Sequence, residues 1–487
     1  MGRVEMVLVM FIVFWGCGVS KGQGGPGDVF NMVHRKIEAN EVSAKISAEK
    51  LQEDMDYLVQ TIEEVHVNPY LNVSREEFYQ RYGAIRSQIT KPLTRKEFYV
   101  LVGPLLHLLR DSHTRVWSIS EIKEDYDRHN GKYLPVDVEI KDNRLFVRHD
   151  YSKPGIEYGT EILSINGIES GRIIAEIVQY RNGFTNYSIL TQAEGGCSTL
   201  LWEVFDFTGP FTVKVPDGDR VVAGMTENEL NRARQPGTAK PKRQFYEKLD
   251  TGVGLLTVDS FALDEGQFGR MLEKAFEKIE ADRISDLIID VRENSGGNSL
   301  LAAQLIGYFR DKPFKAISRF EIKKSPRHEK LLRSFINEEQ IGYVLGDKYA
   351  QTPVGGICVQ EMNEFPVGEV QHRFKGKVYV LMSHNTYSSA VEFVAAVQDN
   401  KMGVLIGEET GDPASSFGEC YPFDLPNSRL LMVSATKFTV RPNGDTTMTK
   451  GVIPDYEVKQ KKANEIKGAD TIMDFTRDLI KNKQRQG

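Results

Sequence analysis

Cysteine is scarce in this chain: four residues in 487, at 17, 197, 358 and 420, far apart from one another. Spacing that wide excludes a disulfide scaffold and a thiolate zinc site, both of which need clustered ligands. Once a leader carrying Cys17 is removed, Cys197, Cys358 and Cys420 read as small buried hydrophobes. Long apolar runs are missing after residue 15, so nothing later in the chain is apolar enough to cross a membrane. An excess of one charge is missing too: 62 basic against 68 acidic residues leave a net charge of -6, no field to attract nucleic acid. Internal repeats and low-complexity tracts are also absent.

What is present begins with a leader. In "MGRVEMVLVMFIVFWGCGVSKGQGG", Arg3 precedes an apolar stretch from Met6 to Trp15, too short to span a bilayer, followed by small and polar residues. Residues 1–22 therefore read as a secretory signal, cleaved near Ser20 or Gly22, or as a lipoprotein leader with a lipid on Cys17. Either predicts export, to the periplasm or cell envelope of a bacterium. The only membrane association expected is through that lipid. Residues 23–44 read as a tether. Over 45–128 apolar residues recur at three and four, as in Leu51, Met55, Leu58, Ile62 and Val65, which predicts a module of amphipathic helices.

From residue 129 the period shortens. "YLPVDVEI" and "RLFVRHD" alternate, and "GIEYGTEILSINGIESG" is rich in turn residues, so 129–235 reads as a small β-rich domain. Its Gly159, Glu161, Ile162, Ile165, Asn166 and Gly167 resemble the second half of a PDZ domain. A charged linker is expected over 236–250. Residues 251–465 then alternate strand and helix: "VGLLTVDSF" before "GQFGRMLEKAFEKIEA", "DLIIDVRENSGGN" before "SLLAAQLIGYF", "KVYVLMSHNTYS" before "SAVEFVAAVQDN", then "GVLIGEE". That pattern predicts an α/β core around a largely parallel, doubly covered sheet. Residues 466–487 form a C-terminal helix or tail.

Two loops of this core suit acyl chemistry. "DVRENSGGN" puts Gly296 and Gly297 before a helix, where amide N–H groups point outward unobstructed by a Cβ. "HNTYSSAVEF" puts Ser388 and Ser389 at another helix start, where N–H groups and the helix dipole favour negative charge. Taken singly, the glycines are a tight turn and the serines an N-cap. A serine nucleophile also needs a base. His113, in "LLHLLRDSHTRVW", follows a helical run beside Asp111, Ser112 and Thr114; it is either that base or part of a capping cluster at the helix end. His107 falls on the helix face, and His384, five residues before Ser389, lies at a strand end that points it elsewhere. Lys401 and Lys437 read as solvated charges. Two Asn-x-Ser triplets, at Asn72 and Asn186, matter only in a host that glycosylates.

"DSHT", "DVRENSGGN" and "SSAVE", in this order with a PDZ-like insert between the first two, resemble the C-terminal-processing and tricorn-core family of serine peptidases, over about residues 45–460. The resemblance implies a crotonase-like ββα superhelical core. It places the nucleophile at Ser389, within Ser389, Ala390 and Glu392, and an oxyanion hole on the amides of Gly297, beside Gly296, and Ala390. One branch of the family uses a lysine in a Gly-Glu-x-Thr-x-Gly-Lys segment, and "GEETGDPASS" has Pro413 and Ala414 there. The tricorn-like branch uses a histidine preceded by serine, which Ser112 and His113 reproduce. That branch also carries a glutamate shortly before a Gly-Val-x-Pro-Asp segment. Here Gly451, Val452, Pro454 and Asp455 remain but Thr447, Met448 and Thr449 replace the acid, leaving Asp445 as substitute or as a turn residue.

The expected function is an exported serine peptidase hydrolysing peptides or unstructured protein tails, with no metal, no organic cofactor and an oligomeric state left open. The alternatives are a catalytically impaired homologue that binds peptide or lipid, and a crotonase-like enzyme on thioesters, which export disfavours.

Overall fold

The computed structural model describes residues 30, 33–234, 245–334, 338–460 and 469–486. The leader, Cys17 and residues 236–244 of the expected linker lie outside the described residues. The front end folds as α1 (Ala48–Val65), α2 (Arg75–Gln88) and α3 (Arg95–His107). Leu51, Met55, Leu58, Ile62 and Val65 are all buried, on the single face that their spacing defines. Thr94 and Glu97 close a capping box at the start of α3: Thr94 Oγ1 accepts from Glu97 N at 3.2 Å, and Glu97 Oε2 accepts from Thr94 N at 2.7 Å. After α3 the chain turns through Arg110, at φ 53°, into β1 (Arg115–Ser118) and α4 (Ser120–Arg128).

Next come β2 (Val136–Lys141), β3 (Arg144–Asp150) and β4 (Glu161–Ile162), which form a 3-stranded sheet. β5 (Ser164–Ile165), β6 (Ile168–Glu169), β7 (Phe211–Val215) and β8 (Gly218–Val222) form a 4-stranded one. Asn166 and Gly167, both at positive φ, make the β5–β6 turn, the backbone that an Asn-Gly pair favours. Between and after these strands run α5 (Ser170–Ile177), α6 (Asn186–Gly195), α7 (Cys197–Phe205) and α8 (Glu227–Arg234). The region expected to be β-rich thus holds more helix than strand, and it shares one continuous apolar core with the front helices.

The remaining chain is α/β. Its elements are β9 (Phe245–Asp250), β10 (Val253–Thr257), α9 (Glu265–Ala281), β11 (Asp286–Asp290), α10 (Ser299–Gly307), β12 (Arg319–Lys323), α11 (Pro326–Leu332), α12 (Glu338–Gln351) and β13 (Ile357–Glu361). They continue with β14 (Lys377–Met382), α13 (Ser389–Asp399), β15 (Val404–Gly407), β16 (Ser416–Asp424), β17 (Leu431–Val440), β18 (Tyr456–Glu457) and α14 (Thr471–Gln486). A 6-stranded sheet runs β18-β15-β14-β11-β10-β9. All its pairings are parallel except β9 with β10. Leu287 and Ile289 face the core under α9, α10 and α13, while Ile288 between them faces Ile472 and Ile480 of α14. The sheet is thus covered on both sides, as near-continuous apolar strands require.

A second, antiparallel sheet, β1-β17-β12-β13 with β16 beside β17, joins the front end to the core. The strand-helix alternation gave no sign of it. Two other expectations need correcting. Phe245–Asp250 is not linker but β9, because its apolar residues pair with β10 at the sheet edge. Residues 34–44 are not a free tether: Ile37 and Val42 are buried, and His34 lies between Glu121 (2.5 Å) and Asp424 (2.7 Å). Those two carboxylates push His34 up to about 9.

Asp54 of α1 is wholly buried and caps the turn between β16 and β17. Its Oδ1 accepts from Asn427 N at 2.8 Å and its Oδ2 from Ser428 N at 2.7 Å. Asp54→Ala leaves these donors without an acceptor and should cost about 2–4 kcal/mol, read as a lower urea midpoint with an unchanged slope.

Candidate active site

Asn294 fixes the two loops. It is wholly buried, donates from Nδ2 to Val258 O (3.0 Å), accepts at Oδ1 from Gly296 N (2.9 Å), and accepts at its own carbonyl from Tyr387 N (3.0 Å). One residue, through its side chain and its carbonyl, therefore holds the end of β10, the glycine loop and the serine loop together. Contact between the loops is so close that a Cβ on Gly296, at φ 96°, would lie 2.7 Å from Ser388 Cβ. On Gly297, at φ 140°, it would lie 2.2 Å from the carbonyl carbon of Phe261. Both glycines are required by space as well as by torsion.

Thr386 anchors the serine loop on the other side, donating to Val291 O at 3.0 Å and accepting from Ser383 N at 3.0 Å. The loop enters α13 through Ser388 at φ 52° and ψ −124°, a conformation that costs a non-glycine residue about 1–3 kcal/mol. Ser389 then begins the helix, 2 % exposed, with its Oγ in no hydrogen bond. Of the two expected oxyanion donors, Ala390 N is engaged: it donates to Tyr387 O at 3.1 Å. Gly296 N is taken by Asn294, which leaves Gly297 N as the amide of that loop that the turn does not use.

His113 is 2 % exposed, and its ring stacks on Tyr387 with centroids 5.8 Å apart, two residues from Ser389. The helical front end and the serine loop therefore meet. Its Nε2 is buried without a hydrogen bond, as is Ser389 Oγ, so the two groups are neighbours through Tyr387 but not bonded to each other. His113 Nδ1 lies 3.0 Å from Ser112 Oγ, which donates to Asp412 Oδ2 at 3.3 Å. With the Ser112 proton on Asp412, Nδ1 carries the ring proton and Nε2 keeps the lone pair. Burial pushes His113 down to about 4, so the imidazole is neutral at neutral pH.

Asp111 holds the backbone of this segment, accepting from His113 N at 2.9 Å and from Thr114 Oγ1 at 2.5 Å. His66 Nε2 lies 3.0 Å from its Oδ2, and since His66 Nδ1 accepts from Asn68 N (3.0 Å), Nε2 is the donor. Thr114 Oγ1 in turn accepts from Ala435 N of β17 at 3.0 Å. Asp111 thus fixes the path of the "DSHT" segment through His66, His113 N and Thr114 rather than capping the last turn of α3.

Asp412 lies in "GEETGDPASS", a segment in which the family resemblance points to a lysine and not to an acid. It is wholly buried, with Oδ1 in no hydrogen bond. Burial first, opposed by Ser112 and reinforced by the Asp111 charge, pushes it up to about 8. Asp445, by contrast, is not brought to Ser112. It is an exposed turn residue whose Oδ1 accepts from Thr447 N at 2.9 Å, because the short Asn-Gly-Asp turn satisfies it locally. His107 and His384 also lie elsewhere, on Arg181 O (2.8 Å) and Glu408 (3.1 Å).

Lys437 corrects a further expectation. It is 4 % exposed rather than solvated, since β17 is buried along its whole length, and its charge is met by Glu419 at 2.8 Å. Lys437, Glu419, Glu392, Ser388 and His113 line a cavity of about 30 Å³, room for roughly one water. Cys197 and Cys358 are buried thiols as expected, whereas Cys420 in β16 is only half-buried and is disulfide-bonded, not a free thiol; no cluster of metal-ligating side chains occurs among the described residues.

With this geometry in view, residues 252–458 match peptidase family S41. The tail-specific protease of Haemophilus influenzae is 26 % identical over 220 residues, 44 % of this chain but only 26 % of that protein, so the chain spans about a quarter of it. The carboxyl-terminal-processing protease of a Picosynechococcus species is 22 % identical over 401 residues, 79 % of this chain and 78 % of that one. Among solved structures, mature CPAF superposes with a TM-score of 0.55 at 14 % identity, covering 86 % of this chain and 94 % of its own, a likeness of fold. The glycine loop, the serine loop and Asp412 all fall inside the segment, residues 252–458, that is similar to peptidase family S41.

Proposed function

We propose that the chain is an exported serine endopeptidase that cuts peptides or unstructured protein tails through an acyl-enzyme on Ser389. His113 Nε2 takes the Ser389 Oγ proton as that oxygen attacks the scissile carbonyl. The oxyanion is held by Gly297 N and by Ala390 N, the latter once it leaves Tyr387 O. The imidazolium gives its proton to the leaving amine. Water, deprotonated by the same nitrogen, then hydrolyses the ester. Ser112 and Asp412 hold the ring so that Nδ1 keeps its proton.

The observation that carries this reading is the pair of buried, unpartnered atoms, Ser389 Oγ, two residues along the chain from Tyr387, and His113 Nε2, on the ring stacked against Tyr387. Buried polar atoms are seldom left unpaired without a use. The arrangement is a resting state: substrate must displace the Tyr387 peptide, freeing Ala390 N and letting the imidazole reach the hydroxyl, a tightening common in such sites. The missing glutamate, which had suggested a binding protein without activity, has a counterpart in Asp412 at the same serine. Residues 129–235 are taken as a PDZ-like unit able to add a substrate peptide as a strand, and 251–465 as a crotonase-like core. Export rests on the leader at 1–22, with lipid on Cys17 as its alternative.

Ser389→Ala should abolish cleavage of an unstructured protein substrate while leaving the fold intact by circular dichroism. Ser388→Ala, which keeps the same backbone torsion, should retain most of it. The reverse result would move the nucleophile to Ser388.

The pH profile tests the relay. Asp412 faces Ser112, Asp111, Tyr387 and Arg115, and with its carboxyl raised to about 8 it is protonated at pH 7. Ionisation above that value lets it stabilise the imidazolium, so kcat/KM should rise with pH around 8, and Asp412→Asn should remove that rise. His113, lowered to about 4, keeps the base available so that the acid limb falls below pH 5. Stability runs the other way for Asp412. The folded state binds its proton more tightly than the unfolded state, so this contribution is full below pH 4 and is lost as pH rises through 8.

A further inference from the structure

A larger cavity, of about 470 Å³, opens between α3, β1, α7 and the segment around Arg181. Its size suits a small organic ligand. Tyr99, Trp117 and Tyr180 supply apolar wall, and two guanidinium groups, Arg115 and Arg181, line it as well. Among the described residues neither arginine has a carboxylate within ion-pair distance. Arg115 stands over the Trp117 ring at 4.8 Å, and its Nε is buried with no hydrogen bond. Arg181 donates to Tyr180 O at 3.0 Å. Burial and the neighbouring Arg181 charge both push the Arg115 guanidinium below its usual range.

The other charges at this wall are already met. Lys123 is paired with Asp127 at 2.8 Å and Glu227 at 2.5 Å, and Glu203 accepts from Tyr99 Oη at 3.0 Å. Two like charges lining one cavity, neither in ion-pair contact with a carboxylate among the described residues, favour an anion arriving between them. Planar guanidinium forks suit a carboxylate, and the aromatic wall suits an apolar group attached to it.

We infer that this cavity is a binding site for the carboxylate of an apolar organic acid, held between Arg115 and Arg181 and separate from the serine loop. The acid is either a small molecule or the free end of a polypeptide with an apolar last residue. Neither arginine belongs to the relay of the proposed peptidase, so binding is measured on the Ser389→Ala protein, where turnover plays no part and failure of the catalytic reading leaves the result unaffected.

Titration calorimetry at low salt compares acetyl-Ala-Ala-Leu as free acid and as amide, with 4-phenylbutyrate as the small acid. The free tripeptide acid should bind at least tenfold more tightly than its amide if the source is a chain end. Phenylbutyrate binding without any preference for the tripeptide acid assigns the site to a small acid. In either case Arg181→Gln should reduce the affinity at least tenfold at unchanged circular dichroism. Should neither acid bind, or should acid and amide bind equally in the protein with both arginines intact, the inference fails without reference to any arginine variant. It fails equally if Arg181→Gln folds and keeps the preference.

Discussion

The pairing of β1 with β17 is the constraint on which the site depends. Arg115 lies opposite Val433 and Val116 opposite Met432, contacts between residues more than three hundred positions apart in the chain. Closing so long a loop costs conformational entropy that grows only slowly with length, but it must be offset by what the closure buries. Here β17 is buried at every position, and Thr114 adds a hydrogen bond to Ala435 just ahead of the ladder. Ser112 and His113 immediately precede that ladder. Their delivery to the serine loop is thus a consequence of sheet formation and needs no separate docking surface.

Polar groups drawn inward by this closure are satisfied in a particular order. Asp111 and Asp54, both buried carboxylates, spend their oxygens on backbone amides and on His66, and so set the path of the chain. Asn294 does the same for the glycine and serine loops with a neutral amide, which has lower desolvation cost than a charge. Of the buried side-chain atoms left without a hydrogen bond, three, Ser389 Oγ, His113 Nε2 and Asp412 Oδ1, lie on residues linked through Tyr387 and Ser112, while others, such as Thr61 Oγ1 and Gln304 Oε1, lie elsewhere in the fold.

Local pattern in the sequence carried the helices of the front end, the strands of the parallel sheet and the glycine turn ahead of α10, because each depends on short spacings or on glycine at positive φ. Asn166 and Gly167 were legible for the same reason. What escaped was set by distant partners. The antiparallel sheet has no βα rhythm to announce it. Lys437 looks like a surface charge until β16 brings Glu419 beside it. Asp412 sits in a segment whose neighbours suggest only a turn, and its relation to Ser112 arises from a contact across 300 residues. Asp445, with the better position along the chain, bonds to its own turn instead.

Ser388 shows how these levels combine. Its left-handed backbone is unfavourable, and it persists because the chain is held on both sides: Tyr387 N by Asn294, and Val391 N and Glu392 N by the Ser388 carbonyl at 2.8 and 3.2 Å. The same twist lets the Tyr387 carbonyl reach Ala390 N. A carbonyl occupying an amide donor at the start of a helix is a stand-in for an oxyanion, weaker because it carries only a partial charge. A tetrahedral intermediate on Ser389 would compete for that donor with a full negative charge, and relaxing the strained residue would aid the exchange. In the proposed mechanism, strain at Ser388 and the occupied amide of Ala390 would be two expressions of one device, a loop held near the geometry of the intermediate but closed until a substrate carbonyl replaces the protein's own.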